Sequence, residues 1–134
     1  MFKIVLCRIP TPLQKILLVD FNKDTSKQLE AALISLPYTI IHKPFVFSTS
    51  TIASNPPGII VARYHVYGGF ADSLCRTIKT DPELHRIPVL LLSESSYVAH
   101  VARENKADGY FIDPLDIDLL HNTILKLILP KKSN

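Results

Sequence analysis

The sequence predicts an α/β fold, a parallel sheet with helices on both faces, and three observations predict it. Short uninterrupted apolar runs recur along the chain, as strands buried on both faces require. Segments with apolar residues at helical spacing separate these runs. With 134 residues, 47% hydrophobic and 20% charged, the chain suits one domain whose apolar core needs no metal or disulfide staples.

The first run, Ile16 to Val19, ends at Asp20. Asn22 or Asp24 can then cap a helix on which Leu29, Ala32, Leu33 and Leu36 recur, and Pro37 closes it. Tyr38 to Ile41 forms the second strand. The Ser/Thr-rich stretch from Ser48 to Ser54 reads as a short second helix, stopped by Asn55, Pro56 and Pro57. Ile59 to Ala62 makes the third strand, and Gly68 with Gly69 makes a turn. Phe70, Leu74 and Ile78 line one face of a third helix, which Asp81 and Pro82 break. The fourth strand is Val89 to Leu92, the fourth helix carries Val98, Val101 and Ala102, and the fifth strand is Tyr110 to Ile112. A last helix runs from about Asp116 to Leu129. Right-handed crossovers between parallel strands place such helices on both faces of the sheet. Sites in open sheets of this kind lie at the carboxyl ends of the strands, which singles out Asp20, Arg63, Ser93 and Asp113.

Residues 1–14 read as an amino-terminal arm outside the core, with Phe2, Ile4 and Leu6 spaced for an extra strand. Residues 15–129 form the domain, and residues 130–134 a basic tail. Lys3 and Arg8 interrupt the first apolar stretch, and Pro10 and Pro12 follow with no small-residue cleavage site, unlike a signal peptide or a membrane span. Cys7 and Cys75 stand far apart without C-x-x-C spacing, which suits free thiols in a reducing compartment and points to the cytoplasm. The net charge of +3 is 15 basic against 12 acidic residues with no basic stripe. Nucleic acid binding, which would have to use Lys3, Arg8, Lys131 and Lys132 at the two termini, is therefore disfavoured.

Three segments, KILLVD, KTDPELHRIPVLLLS and KADGYFIDPLD, together resemble the receiver domain of bacterial response regulators, from Lys15 to about Leu129. The resemblance implies the flavodoxin-like, CheY-like doubly wound sheet of five strands in the order 2-1-3-4-5. It also implies a site in which an aspartate after the third strand accepts a phosphoryl group. Mg²⁺ is held there by that aspartate and by an acidic pair after the first strand. A Ser or Thr after the fourth strand and a Lys after the fifth meet the phosphoryl oxygens, stabilising charge that develops during transfer.

Position by position, most of that site is missing. Asp20 matches one acid of the pair, but Phe21 stands in place of its neighbour. The acceptor position falls on Arg63, or in the adjacent register on Ala62, and neither can take a phosphoryl group. The family's Lys-Pro becomes Asp113 and Pro114, so anion and cation have changed places. Ser93 and the ring of Tyr110 are what remains. The exchange predicts an ion pair between Arg63 and Asp113 with Asp20 as second acceptor, since a guanidinium is a planar fork with permanent charge. The plain alternative is that Arg63 points into solvent. No metal and no cofactor are expected.

Ser93 is expected to cap the fourth helix, and Tyr110 to be a static aromatic with its hydroxyl near water. A coupled Ser93–Tyr110 switch is the competing reading. The five histidines lack metal-ligand spacing and read as surface or boundary residues, and Cys75 reads as a small core residue. The last helix has more apolar residues than one stripe needs, so the excess packs against the arm or forms an exposed patch. In the resembling family the fourth helix, fifth strand and fifth helix form a surface for dimerisation and docking. That likeness places a partner surface at Tyr97, His100, Val101, Tyr110, Leu119 and Thr123.

The expected function is a non-phosphorylatable pseudo-receiver, a protein–protein interaction module in bacterial signal transduction that is not an enzyme and that can form a homodimer. With no helix-turn-helix following the domain, its output is expected to be direct contact. The rival reading is a phosphorylatable regulator using Asp20 or Asp113 as an unconventional acceptor.

Overall fold

The computed structural model describes residues 14–46, 48–66 and 70–129. Residues 1–13 of the arm, among them Cys7, together with the basic tail and the Gly68–Gly69 turn expected from the sequence, lie outside the described residues. The elements alternate along the chain: β1 (Lys15–Val19), α1 (Lys23–Leu33), β2 (Thr39–Lys43), α2 (Thr49–Ser54), β3 (Ile59–Arg63), α3 (Ala71–Thr80), β4 (Val89–Ser93), α4 (Val98–Glu104), β5 (Gly109–Ile112) and α5 (Ile117–Leu127). All five strands are parallel and their order is β2-β1-β3-β4-β5, the order the resemblance implied.

Two apolar cores follow from strand alternation. In β3, Ile60 and Ala62 face one side, where Leu17, Ile52, Leu74, Ile78 and Val101 pack. Ile59 and Val61 face the other, with Leu29, Leu33, Leu120 and Ile124. Every residue of β3 and β4 is buried, which is why their sequences read as continuous apolar runs. Full burial of each such large side chain stabilises the fold by roughly 1.5–3 kcal/mol.

Local chemistry sets the helix ends. The Asn22 side chain accepts hydrogen bonds from the Asp24 and Thr25 amides and starts α1. Asp116 does the same for α5 through the Leu119 amide. Several boundaries differ from the sequence expectation. The first helix stops at Leu33, because Pro37 prevents another turn; Leu36 is buried from the loop beyond it. The second strand starts at Thr39, where pairing with Lys15 begins, and runs on to Lys43. Phe70 does not line the buried face of α3; it stands at the cap position, exposed, while Cys75 takes a core place with Leu74 and Ile78. The last helix ends at Leu127, after which Ile128 turns extended and the Leu129 amide donates to the Gly58 carbonyl. No helix among the described residues is long and apolar enough to cross a membrane.

Candidate functional site

The sheet delivers four side chains to its carboxyl edge. Asp20 follows β1 directly, Arg63 ends β3, Ser93 ends β4, and Asp113 follows β5. Pairing of β1 with β3 and of β3 with β4 brings residues far apart in sequence to one rim.

Arg63 is the centre of the arrangement. Its Nη1 donates to Asp113 Oδ2 at 2.7 Å, and its Nε stands 3.4 Å from Asp20 Oδ2. The Arg63 side chain is 7% exposed, that of Asp20 is fully buried, and that of Asp113 is 32% exposed. The solvent-pointing alternative for Arg63 is thereby excluded, and the exchanged ion pair is formed. Arg63 Nε is buried without a hydrogen bond: at 3.4 Å it is close enough for charge attraction to Asp20 but misaligned for donation.

Asp20 is saturated by donors the sequence reading did not assign. Its Oδ1 accepts from the Asn22 amide at 3.0 Å and lies 3.3 Å from His65 Nε2, while its Oδ2 accepts from Thr25 Oγ1 at 2.6 Å. His42 Nε2 donates to the Asp20 carbonyl at 2.8 Å. Metal-ligand spacing does not find His42 or His65, because both act through contacts made across the fold. The usable signal was position: His65 stands two residues beyond the tip of β3, and Thr25 lies in the first turn of α1, on the helix that follows Asp20.

Phe21 packs among other rings. Its ring stacks on Phe45 with centroids 6.0 Å apart and packs on the His65 ring at 4.4 Å. Phe70 meets Phe45 edge-on at 5.7 Å. An aromatic layer thus lies where the resemblance places a second acid. Val19, Ala71 and Leu74 line the small cavity of about 20 Å³ between this layer and Arg63.

Ser93 is buried, and its Oγ accepts from the Ser95 amide at 3.1 Å. It therefore does not cap the fourth helix. The cap position of α4 is Tyr97, with no side-chain cap; the Tyr97 amide is bonded instead to Ser95 Oγ. Tyr110 points outward, 45% exposed. On the expected partner face Tyr97, His100 and Leu119 are exposed, and Thr123 is half-buried with its hydroxyl donating to the Leu119 carbonyl. Val101 does not belong to that face: it is 6% exposed and packs into the core, because α4 turns Val98, Val101 and Ala102 toward the sheet.

No protein-family model and no curated protein matches this sequence. Solved structures do match in fold. The receiver domain of a signal transduction histidine kinase from Syntrophus aciditrophicus superposes with a TM-score of 0.75 at 21% identity, over 90% of this chain and 96% of that one. The receiver domain of a Pseudomonas aeruginosa sensor histidine kinase, with a magnesium ion coordinated in its active site cleft, gives 0.74 at 19% identity, covering 85% of this chain and 96% of its own. A chemotaxis response regulator of Vibrio cholerae gives 0.70 at 13% identity, covering 87% and 99%. The fold is therefore the CheY-like receiver fold.

The donor set here does not fit the magnesium ion of such a cleft. Mg²⁺ demands near-octahedral oxygen ligands. Both Asp20 oxygens are committed to donors, Phe21 offers none, and the Arg63 guanidinium sits against the one carboxylate that remains at the tip of β1. Among the described residues no group of three or more His, Cys, Asp or Glu side chains is placed to hold a metal ion.

Proposed function

We propose that this chain is a pseudo-receiver, a domain that keeps the receiver fold but accepts no phosphoryl group, and that serves bacterial two-component signalling from the cytoplasm as a protein-binding module. One observation carries the reading: the tip of β3 presents a buried guanidinium clamped between Asp20 and Asp113. A guanidinium is no nucleophile toward phosphorus and repels the divalent cation that would lower the charge of an incoming phosphate. The carboxylates nearby are the other acceptors to weigh. Asp20 is enclosed, and Asp113 is turned onto Arg63.

The partner surface we assign is the face built by α4, β5 and α5, carried by Tyr97, Tyr110, Ile112 and Leu119, all exposed. A second copy of this chain is the partner we place there first.

Intact-mass measurement after incubation with acetyl phosphate and Mg²⁺ tests the pocket. Unchanged mass is expected; an added phosphoryl mass mapped to Asp20 or Asp113 overturns the reading in favour of an unconventional acceptor. Sedimentation at rising concentration tests the surface. Self-association that Leu119→Arg abolishes is expected, and association that survives that change puts the interface elsewhere.

A further inference from the structure

Gln14 and Leu129, the first and last described residues, meet at one corner of the sheet, at the end opposite the Arg63 cluster. The Gln14 side-chain amide donates to the Leu129 carbonyl, and the Leu129 amide donates to the Gly58 carbonyl at 3.0 Å, while the Gly58 amide donates to the Lys15 carbonyl at 2.9 Å. Residues 1–13 and 130–134 are therefore attached side by side. The loop after α1 reaches the same corner, for the Thr39 amide donates to the Gln14 carbonyl at 3.0 Å. In that loop Ile34 is 76% exposed, the most open large apolar side chain among the described residues.

This meeting changes what the charge of the chain means. Residues 1–19 and 119–134 hold six cations, Lys3, Arg8, Lys15, Lys126, Lys131 and Lys132, and no Asp or Glu, whereas the remaining residues hold nine cations against twelve acids. In sequence the six are split between two ends and make no stripe; the fold brings the two attachment points together. Lys126 is exposed and Lys15 half-buried, and the loop segments 34–38 and 55–58 add no acid.

We propose that this corner, with the two terminal segments it holds, is a docking site for an anionic lipid surface. Anionic headgroups attract clustered Lys and Arg through a field that fades within a Debye length, about 8 Å at physiological salt. The apolar residues decide between polyanions. A nucleic acid takes up the cations, but its phosphates offer nothing to Ile4, Val5, Leu6 and Ile9, and base stacking has only Phe2 to use among residues 1–13. A lipid surface takes both, burying apolar side chains at the acyl boundary while the cations stay at the headgroups. Lipid contact at this corner uses no residue of the Arg63 cluster, so its test leaves the pseudo-receiver reading untouched either way.

Co-sedimentation with vesicles measures it. The full chain should pellet with vesicles of mixed phosphatidylglycerol and phosphatidylcholine, stay in solution with phosphatidylcholine alone, and be released from the mixed vesicles by raised salt. Lys131→Gln with Lys132→Gln should weaken binding about 25-fold, roughly fivefold for each cation held near the surface. Phe2→Ser with Leu6→Ser should weaken it as well and leave its salt dependence as it was, which separates lipid contact from attraction of charge alone. Ile34→Ser, at an exposed position of the folded corner, should do the same. Equal binding to both vesicle types, or no binding to either, overturns the proposal, and so does an affinity that all three variants leave unchanged. Tighter binding to single-stranded DNA than to mixed vesicles, indifferent to the Phe2 and Leu6 changes, makes the partner a nucleic acid instead.

Discussion

Arg63 donates through Nη1 to Asp113 Oδ2 at 2.7 Å, joining the tip of β3 to the residue that follows β5 across the intervening β4. The bond is uneven in its surroundings, since the cation is nearly enclosed and the anion is about one third open to water. Water screens part of the attraction from the Asp113 side, yet removing Asp113 leaves a buried guanidinium with only the misaligned Asp20 contact.

That asymmetry ranks the substitutions at Asp113. Asp113→Asn keeps an acceptor and should cost about 1 kcal/mol, near the value of a half-exposed pair. Asp113→Lys sets a second cation against Arg63 and should cost about 3 kcal/mol, as buried pairs do when one side is lost. Urea denaturation midpoints measure both, and equal midpoints for Asp113→Lys and the unmodified chain would falsify the clamp.

Arg63→Asp should do the opposite of restoring a receiver site at once. Three carboxylates would crowd at the rim with no fixed cation, so the variant should melt well below the parent protein. Millimolar Mg²⁺ should then raise its melting temperature while leaving the parent unmoved, since cation binding to the folded state alone stabilises by mass action. A rise of equal size in both proteins would show that the ion acts elsewhere.

Phe21 offers a separate measure of the aromatic layer. Its ring stacks on Phe45 and His65 while remaining partly exposed, so Phe21→Ala should cost about 1 kcal/mol of stability from lost ring contacts. Because Phe21 also lines the small cavity beside Asp20, hydrogen exchange at the Asn22 amide should quicken. Unchanged exchange there would mean the layer shields nothing.

The sheet was legible because burial on both faces writes strands such as IIVA and VLLL as unbroken apolar runs. Arg63 and Asp113 were legible because the charges at two strand tips had exchanged sign relative to the resembling family. Thr25, His42 and His65 were not, because each reaches Asp20 through a loop or across a strand, and such contacts leave no spacing in sequence. Val101 belongs with Val98 and Ala102 at the i, i+3, i+4 spacing of an inner helix face, and only the family likeness, not this spacing, points it toward the partner face. Ser93 has the residue type of a helix cap, but it is Ser95, two residues on, whose hydroxyl bonds the Tyr97 amide.

Cys75 tests the burial of α3 against the sheet. Desolvation raises its thiol to about 11, with Lys79 opposing and Asp108 and Asp72 adding to the shift. The folded state therefore holds the proton more tightly than the unfolded chain, and its stability should fall as pH rises from about 9 toward 11. Cys75→Ala should flatten that part of the stability profile. At neutral pH, peptide mapping after iodoacetamide treatment should find Cys75 unmodified in the native protein and modified in urea; native modification would place it nearer solvent.

Gly58 marks where the end of α5 closes against the start of β3. A Cβ added there would lie 2.6 Å from Ile128 Cγ1 and 3.2 Å from Gln14 Cδ, too close for either to stay in place. The backbone on both sides is fixed, since the Gly58 amide donates to the Lys15 carbonyl and its carbonyl accepts from the Leu129 amide. Gly58→Ala should therefore cost about 1–3 kcal/mol, the usual range for overpacking. Ile128→Ala removes the nearest obstruction, so the double variant should recover part of that loss and be more stable than the sum of the single changes predicts. Strict additivity in denaturant unfolding would mean the two residues do not meet, and that α5 ends without docking on β3.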